Sequence, residues 1–163
     1  MTRSGVTAFS DWAVFAQEPT TTTLAATPNP SVFGQAVSFT ATVVPVVAEG
    51  NVQFYVDGAA VGSALPLLGG TATMTSALLA VGTHAITATT TITGGAYTGS
   101  EATLVGGQVV NMATAVVTVT SAPNPSAFRQ QATVTATVSA VAPGGGIPTG
   151  VVTITMGPVS LAA

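Results

Sequence analysis

Pro28-Asn29-Pro30-Ser31-Val32-Phe33 recurs as Pro123-Asn124-Pro125-Ser126-Ala127-Phe128, 95 residues further along the chain, from position 28 to position 123. A period of that size is about one small all-β domain, so the spacing points to a tandem array rather than to one continuous fold. At the same offset Phe39, Ala41 and Val43 return as Val134, Ala136 and Val138, and Thr40 and Thr42 as Thr135 and Thr137. Apolar residues alternating with Thr in both copies give the period of two that marks a half-buried strand. Gly50-Asn51-Val52-Gln53-Phe54 then finds its counterpart in Gly150-Val151-Val152-Thr153-Ile154, at an offset of 100. The second copy therefore carries five extra residues. They fall in Ala142-Pro143-Gly144-Gly145-Gly146-Ile147-Pro148, which reads as a flexible loop, where insertions are tolerated.

Between the two copies of the phrase the chain reads as short strands separated by turns. Thr20–Ala26, Gln35–Val44, Asn51–Val56, Ala60–Leu65, Thr71–Ser76, Thr83–Thr93 and Ala102–Met112 are the expected strands, with Asp57-Gly58 as a hairpin turn because its geometry demands positive φ. Ala77–Gly82 is too short for a stable helix and reads as a packed connection. Close-spaced strands with no helical period predict an all-β antiparallel sandwich.

Composition limits the function. The 163 residues are 47% hydrophobic and 4% charged, with no Cys, no Lys, Arg only at positions 3 and 129, and a net charge of −3. Packing without disulfides must hold the fold. So few cations cannot neutralise a run of phosphates, which argues against nucleic acid and anionic membrane as partners. No apolar run reaches the roughly 18 to 20 residues of a spanning helix, which argues against membrane insertion. Met1–Glu18 also lacks the apolar core and cleavage site of a signal peptide.

The order of these motifs resembles the bacterial Ig-like repeat of the group 3 type. The resemblance is carried by the Thr-rich first strand, Pro28-Asn29-Pro30-Ser31, Phe33-Gly34-Gln35, Val37–Val43, Gly50–Phe54, Asp57-Gly58, Ala72-Thr73-Met74, Leu79 and Gly82-Thr83-His84-Ala85-Ile86-Thr87-Ala88. It covers 20–112 fully and 114 to about 160 in part. It implies an Ig-like β-sandwich that serves as a stalk or adhesive module in a large secreted or surface-anchored bacterial protein. Two departures stand out. Ala88-Thr89-Thr90-Thr91-Ile92-Thr93-Gly94-Gly95 lacks the Tyr and the Gly-Asp that the family tends to place there, although Tyr97 keeps the later aromatic. In the second copy Arg129-Gln130 replaces Gly34-Gln35, which predicts a looser or differently shaped turn.

On this reading residues 1–19 are a linker or the tail of a preceding domain, 20–112 one complete repeat, and 113–163 the first strands of a truncated second repeat. A half sandwich leaves apolar faces uncovered and edges unpaired. The chain is accordingly expected to be a fragment of a longer protein, with 113–163 less ordered than 20–112. In-frame stop codons on both sides, with no further repeat, would contradict the first expectation.

Each conspicuous residue has a structural reading that outweighs a functional one. His84, the only histidine, is read as a packed or hydrogen-bonded residue at a strand start rather than a base or ligand. Asp57, Glu49 and Glu101 are too scattered for a calcium site, which wants clustered acids. Phe9-Ser10-Asp11-Trp12-Ala13-Val14-Phe15 reads as a short strand of a preceding domain. The Pro-Asn-Pro phrase ends one strand and redirects the chain, and proline at its centre rules out Asn glycosylation. Gly144-Gly145-Gly146 lacks the Lys of a phosphate loop, and no Gly-x-Ser-x-Gly elbow is present. Nucleophilic and acid/base catalysis thus have almost nothing to work with. The expectation is a protein that is not an enzyme and takes no metal or cofactor. Its expected partners are neighbouring repeats and a surface glycan or protein. The competing reading is an accessory carbohydrate-binding module of an extracellular enzyme, which would have to build an aromatic platform from Tyr55, Tyr97 and Trp12.

Overall fold

A computed structural model describes residues 16–46, 49–155 and 157. Among them there is no helix, and hence none long and apolar enough to cross a membrane. The short strand read over Phe9–Phe15 lies outside the described residues.

The central strands alternate as their sequences demand. β1 (Glu18–Pro19) leads into β2 (Thr21–Thr27), β3 (Ser31–Val32) and β4 (Val37–Val44), followed by β5 (Gly50–Val56), β6 (Ala59–Pro66) and β7 (Thr71–Ser76). In β4, Val37, Phe39, Ala41 and Val43 are buried while Ser38, Thr40 and Thr42 face outward. That strand lies between β2 and β7 in an antiparallel three-stranded sheet. β5 joins β6 through a two-residue turn in which Asp57 (φ 51) and Gly58 (φ 81) both take positive φ, as an Asp-Gly hairpin turn requires. β5 also pairs with β9 (Ile86–Ile92), which pairs with β11 (Glu101–Thr103), giving the second sheet in the order β11-β9-β5-β6. The core lies between these two sheets. Val37, Phe39, Ala41 and Val43 supply one side, Val52, Phe54, Ile86 and Ala88 the other, and Leu79 of the 77–82 connection closes an edge.

Two expected strands are broken. Thr83–Thr93 divides at Ala85 into β8 (Gly82–His84) and β9, and Ala102–Met112 divides at Leu104–Gly107 into β11 and β12 (Gln108–Asn111). The cause is a change of partners: β9 runs against β5, whereas β8 runs against β12, which itself pairs in parallel with β3. Gly106 (φ 77) and Gly107 (φ 69) turn the chain at the break, and a Cβ on Gly107 would sit 2.7 Å from the His84 carbonyl oxygen. A further short strand, β10 (Tyr97–Thr98), pairs with β1 in parallel.

Threonine does more than cover the outside. Thr20, Thr22 and Thr90 are buried, and their hydroxyls form a chain: Thr90 to Thr22 at 2.9 Å, Thr22 to Ser100 at 2.7 Å, and Ser100 to Thr20 at 2.9 Å. The Thr20 hydroxyl also donates to the Thr98 carbonyl at 2.8 Å. Each buried hydroxyl is satisfied by another, which removes the cost of placing it inside.

The second copy forms a hairpin of β13 (Ala115–Ala122) and β14 (Thr133–Ala140) in continuous antiparallel register. Val117 and Val119, the counterparts of Thr22 and Leu24, are exposed. Two sequence expectations are corrected here. Gly150–Ile154 is not a strand: β5, its counterpart, is held by β6 and β9, and nothing equivalent to those partners lies beside it among the described residues. The Arg129 turn is not looser. Arg129 adopts φ 62, Gln130 N–H donates to the Ala127 carbonyl at 2.9 Å, and Ala127 N–H donates to Gln130 Oε1 at 2.8 Å. The first copy makes the same two bonds, Gln35 N–H to the Val32 carbonyl at 2.9 Å and Val32 N–H to Gln35 Oε1 at 3.1 Å. The glutamine, rather than the glycine, holds the turn in shape.

Candidate functional site

Among the described residues the one ion pair lies at the end of the sandwich, at the β5–β6 turn. The break at Ala85 leaves that residue's backbone groups without a strand partner, and Asp57 takes both. Asp57 N–H donates to the Ala85 carbonyl at 2.8 Å, and Ala85 N–H donates to Asp57 Oδ1 at 2.9 Å. The other carboxylate oxygen lies 2.7 Å from His84 Nδ1, while His84 Nε2 lies 2.9 Å from the Ala80 carbonyl oxygen. Both ring partners are acceptors, so the ring satisfies both only as an imidazolium that donates from each nitrogen. Neither nitrogen then offers a lone pair to a substrate. The arrangement is a clasp that ties the hairpin turn to the connection ahead of β8.

The charge state follows from the same bonds. The Asp57 hydrogen bond, and after it the Ala80 carbonyl, hold the His84 pKa above its ordinary 6.5. The His84 hydrogen bond, and after it the Ala85 N–H, hold Asp57 below its ordinary 3.8. A raised histidine contributes stability that is complete below 6.5 and is lost as pH rises through the folded-state value. A lowered aspartate contributes stability that is complete above 3.8 and is lost as pH falls through its folded-state value. The melting temperature should therefore be highest between those limits and fall slightly on the alkaline side, slightly because Asp57 is exposed and solvent screens the pair. Asp57→Asn keeps a residue that tolerates positive φ ahead of Gly58 and removes the charge. Thermal melts from pH 5 to 9 should show the alkaline fall in the native chain and a flatter profile in Asp57→Asn; equal slopes would refute the assignment.

The remaining candidates are not gathered. No group of three or more His, Cys, Asp or Glu residues that could hold a metal occurs among the described residues. Glu101 accepts from the Thr89 hydroxyl at 3.3 Å across the β9–β11 ladder. Glu49 lines a shallow cleft of about 250 Å³ with Val46, Ile92, Thr93, Ala96 and Tyr97. Tyr97 packs against the core. Tyr55 sits opposite Thr87, near the start of β9, whereas Tyr97 follows the end of that strand. Five residues of strand, from Thr87 to Ile92, put about 17 Å between those ends. The two tyrosines therefore do not form one stacking surface, and Trp12 lies outside the described residues.

Sequence reasoning missed the most densely bonded polar group. Gln108 is fully buried at the start of β12; its two amide hydrogens are shared among the Pro28 carbonyl at 3.1 Å, Ser31 Oγ at 3.1 Å and the Val109 carbonyl at 3.0 Å, while its Oε1 has no partner among the described residues. Asn29 grips the same strand from outside, donating to the Gly107 carbonyl at 2.8 Å and accepting from Val109 N–H at 3.0 Å. The Pro-Asn-Pro-Ser phrase is thus a clip onto β12. The recurrence of Asn between two prolines was the available signal; a lone Gln in an apolar strand gave none.

Residues 23–117 match a protein family described as "Bacterial Ig-like domain (group 3)". No curated protein and no solved structure matches the chain.

Proposed function

The chain belongs to the group 3 bacterial Ig-like domains, and from that premise we propose that it is a non-catalytic structural module that spaces or presents neighbouring parts of a secreted or cell-surface bacterial protein. On this reading 20–112 is one complete repeat and 113–163 the opening strands of a second. The observation that carries the reading is the doubled turn. Val32 with Gln35, and Ala127 with Gln130, make the same pair of hydrogen bonds 95 residues apart. Recurrence of a bonded turn at a domain-sized interval is what a serial array of identical units produces. The His84–Asp57 clasp supports the same reading, because it spends the only histidine on holding a turn.

Mechanical stretching tests it. A spacer unit should resist as one body, so pulling the chain by its ends should give a dominant event that releases about 30 nm, the extended length of residues 20–112. Several small events in place of that one would overturn the unit. A glycan array supplies the other arm: binding that disappears in Tyr97→Ala would replace the spacer reading with that of a carbohydrate-binding module.

A further inference from the structure

The five-residue insertion of the second copy does not hang free. Gly145 N–H donates to the Phe33 carbonyl at 2.9 Å, and Gly144 N–H donates back to the Val141 carbonyl at 2.9 Å. The glycines are there for contact. A Cβ on Gly34 would lie 2.6 Å from the Gly145 Cα and 2.7 Å from its nitrogen, and a Cβ on Gly146 would lie 2.8 Å from Cε1 of Phe33. A Cβ on Gly144 would lie 2.7 Å from that of Ala113, in the segment between the two copies. Two backbones therefore touch at a spacing that no side chain permits. Ile147 and Pro148 continue the contact along a cleft of about 350 Å³ shared with Phe33, Val81, Met112 and Ala115.

We propose that the Phe33-Gly34 turn of one unit is a receptor for the Gly144-Gly145-Gly146 loop of the unit that follows it, and that this seat fixes the angle between them. The proposal rests on the spacer reading for its use, though not for its geometry. The second copy shows how the seat is closed. Its turn has the same backbone, but Arg129 replaces Gly34 at φ 62, and the guanidinium lies over the Phe128 ring, 5.3 Å from its centroid. The ring that Gly146 approaches in the first copy here has the chain's own cation over one face, and the Cβ that Gly34 lacks stands where Gly145 would lie. Phe33, beneath the loop, is 39% exposed. A receptor with glycine takes the loop and one with arginine refuses it, so a single residue in each repeat sets whether the junction after it is fixed or free.

Gly34→Arg tests this directly, because Arg129 already shows that arginine fits the same turn. The chain has no Cys, so spin labels at Ser63→Cys and Ser139→Cys, both exposed and on either side of the junction, report the distance between the units. The native chain should give one narrow distance distribution, and Gly34→Arg should broaden or displace it while the amide signals of 37–44 and 86–92 stay in place. If Gly34→Arg disturbs those signals, Gly146→Asn, a residue that tolerates the loop's positive φ of 88 and whose Cβ would meet the Phe33 ring, makes the test from the loop side without touching the first unit. A broad distribution in the native chain, or coincident distributions in native and variant, would overturn the proposal. Glycan binding by the chain would end the spacer reading and leave these distances unaffected, so the two failures are separable.

Discussion

Replacing Phe39 by alanine should lower the unfolding free energy of the first unit by about 3–5 kcal/mol, whereas Val134→Ala, at the matching position of the second copy, should change it by no more than about 0.5 kcal/mol. The two positions hold the same place in sequence, 95 residues apart, and differ in what covers them. Phe39 is 0% exposed, with Ala26 and Met74 as its cross-strand neighbours and Phe54 and Ile86 among the residues of the facing sheet. Truncation would leave a cavity that rigid strands on both sides cannot collapse into. Val134 is 37% exposed on a two-stranded hairpin, so the lost methyl groups were already partly in water. Small domains have about 5–15 kcal/mol of stability in all, so Phe39→Ala removes a large share of it. Urea unfolding followed by circular dichroism reads both variants. Equal costs would mean that the hairpin buries its valines as the first unit does, and slow amide exchange across 115–140 would say the same.

The parts of the fold that were legible are those whose signal is local. Val37 to Val43 alternates with Ser and Thr and buries every apolar member, because the pleat itself has a period of two. Asp57-Gly58 was legible for a similar reason: positive φ at two successive residues is a demand on residue type. The breaks in β8–β9 and β11–β12 were not legible, since residues on both sides are good strand formers and only the choice of partner changes. Gly106-Gly107 was the sole local trace. The burial of Thr20, Thr22 and Thr90 was not legible, for it depends on another hydroxyl being there to meet each one, and Thr90 lies far from Thr22 in sequence. The same limit hid the His84–Asp57 clasp, whose members are distant along the chain and meet only because β8 breaks. The Arg129 turn erred in the opposite direction. Steric preference argued for distortion, yet the bonds from Gln130 hold arginine at φ 62, and the preference of about 1–2 kcal/mol against that conformation is outweighed.

Gln108→Leu should cost about 1–3 kcal/mol although it keeps the volume of the side chain and adds apolar atoms to a buried site. The reason is what it leaves behind. Gln108 supplies donors to the Pro28 carbonyl and to Ser31 Oγ, and leucine supplies none, so these acceptors lose a donor. The damage should be confined in a way that identifies the role of the repeated phrase. Val109 N–H is held by Asn29 Oδ1, and Phe33 N–H by the Asn111 carbonyl at 2.8 Å; both amides should exchange faster once the phrase loosens from β12. Gln35 N–H, bonded to the Val32 carbonyl within the turn, should keep its protection. The second copy already separates these two effects, since its turn keeps both glutamine bonds with no strand like β12 beside it among the described residues. The turn is made by its own residues, and the clip to β12 by Gln108 and Asn29. Loss of Gln35 protection together with that of Val109 and Phe33 would refute this division, and an unchanged free energy in Gln108→Leu would show that Asn29 alone carries the clip.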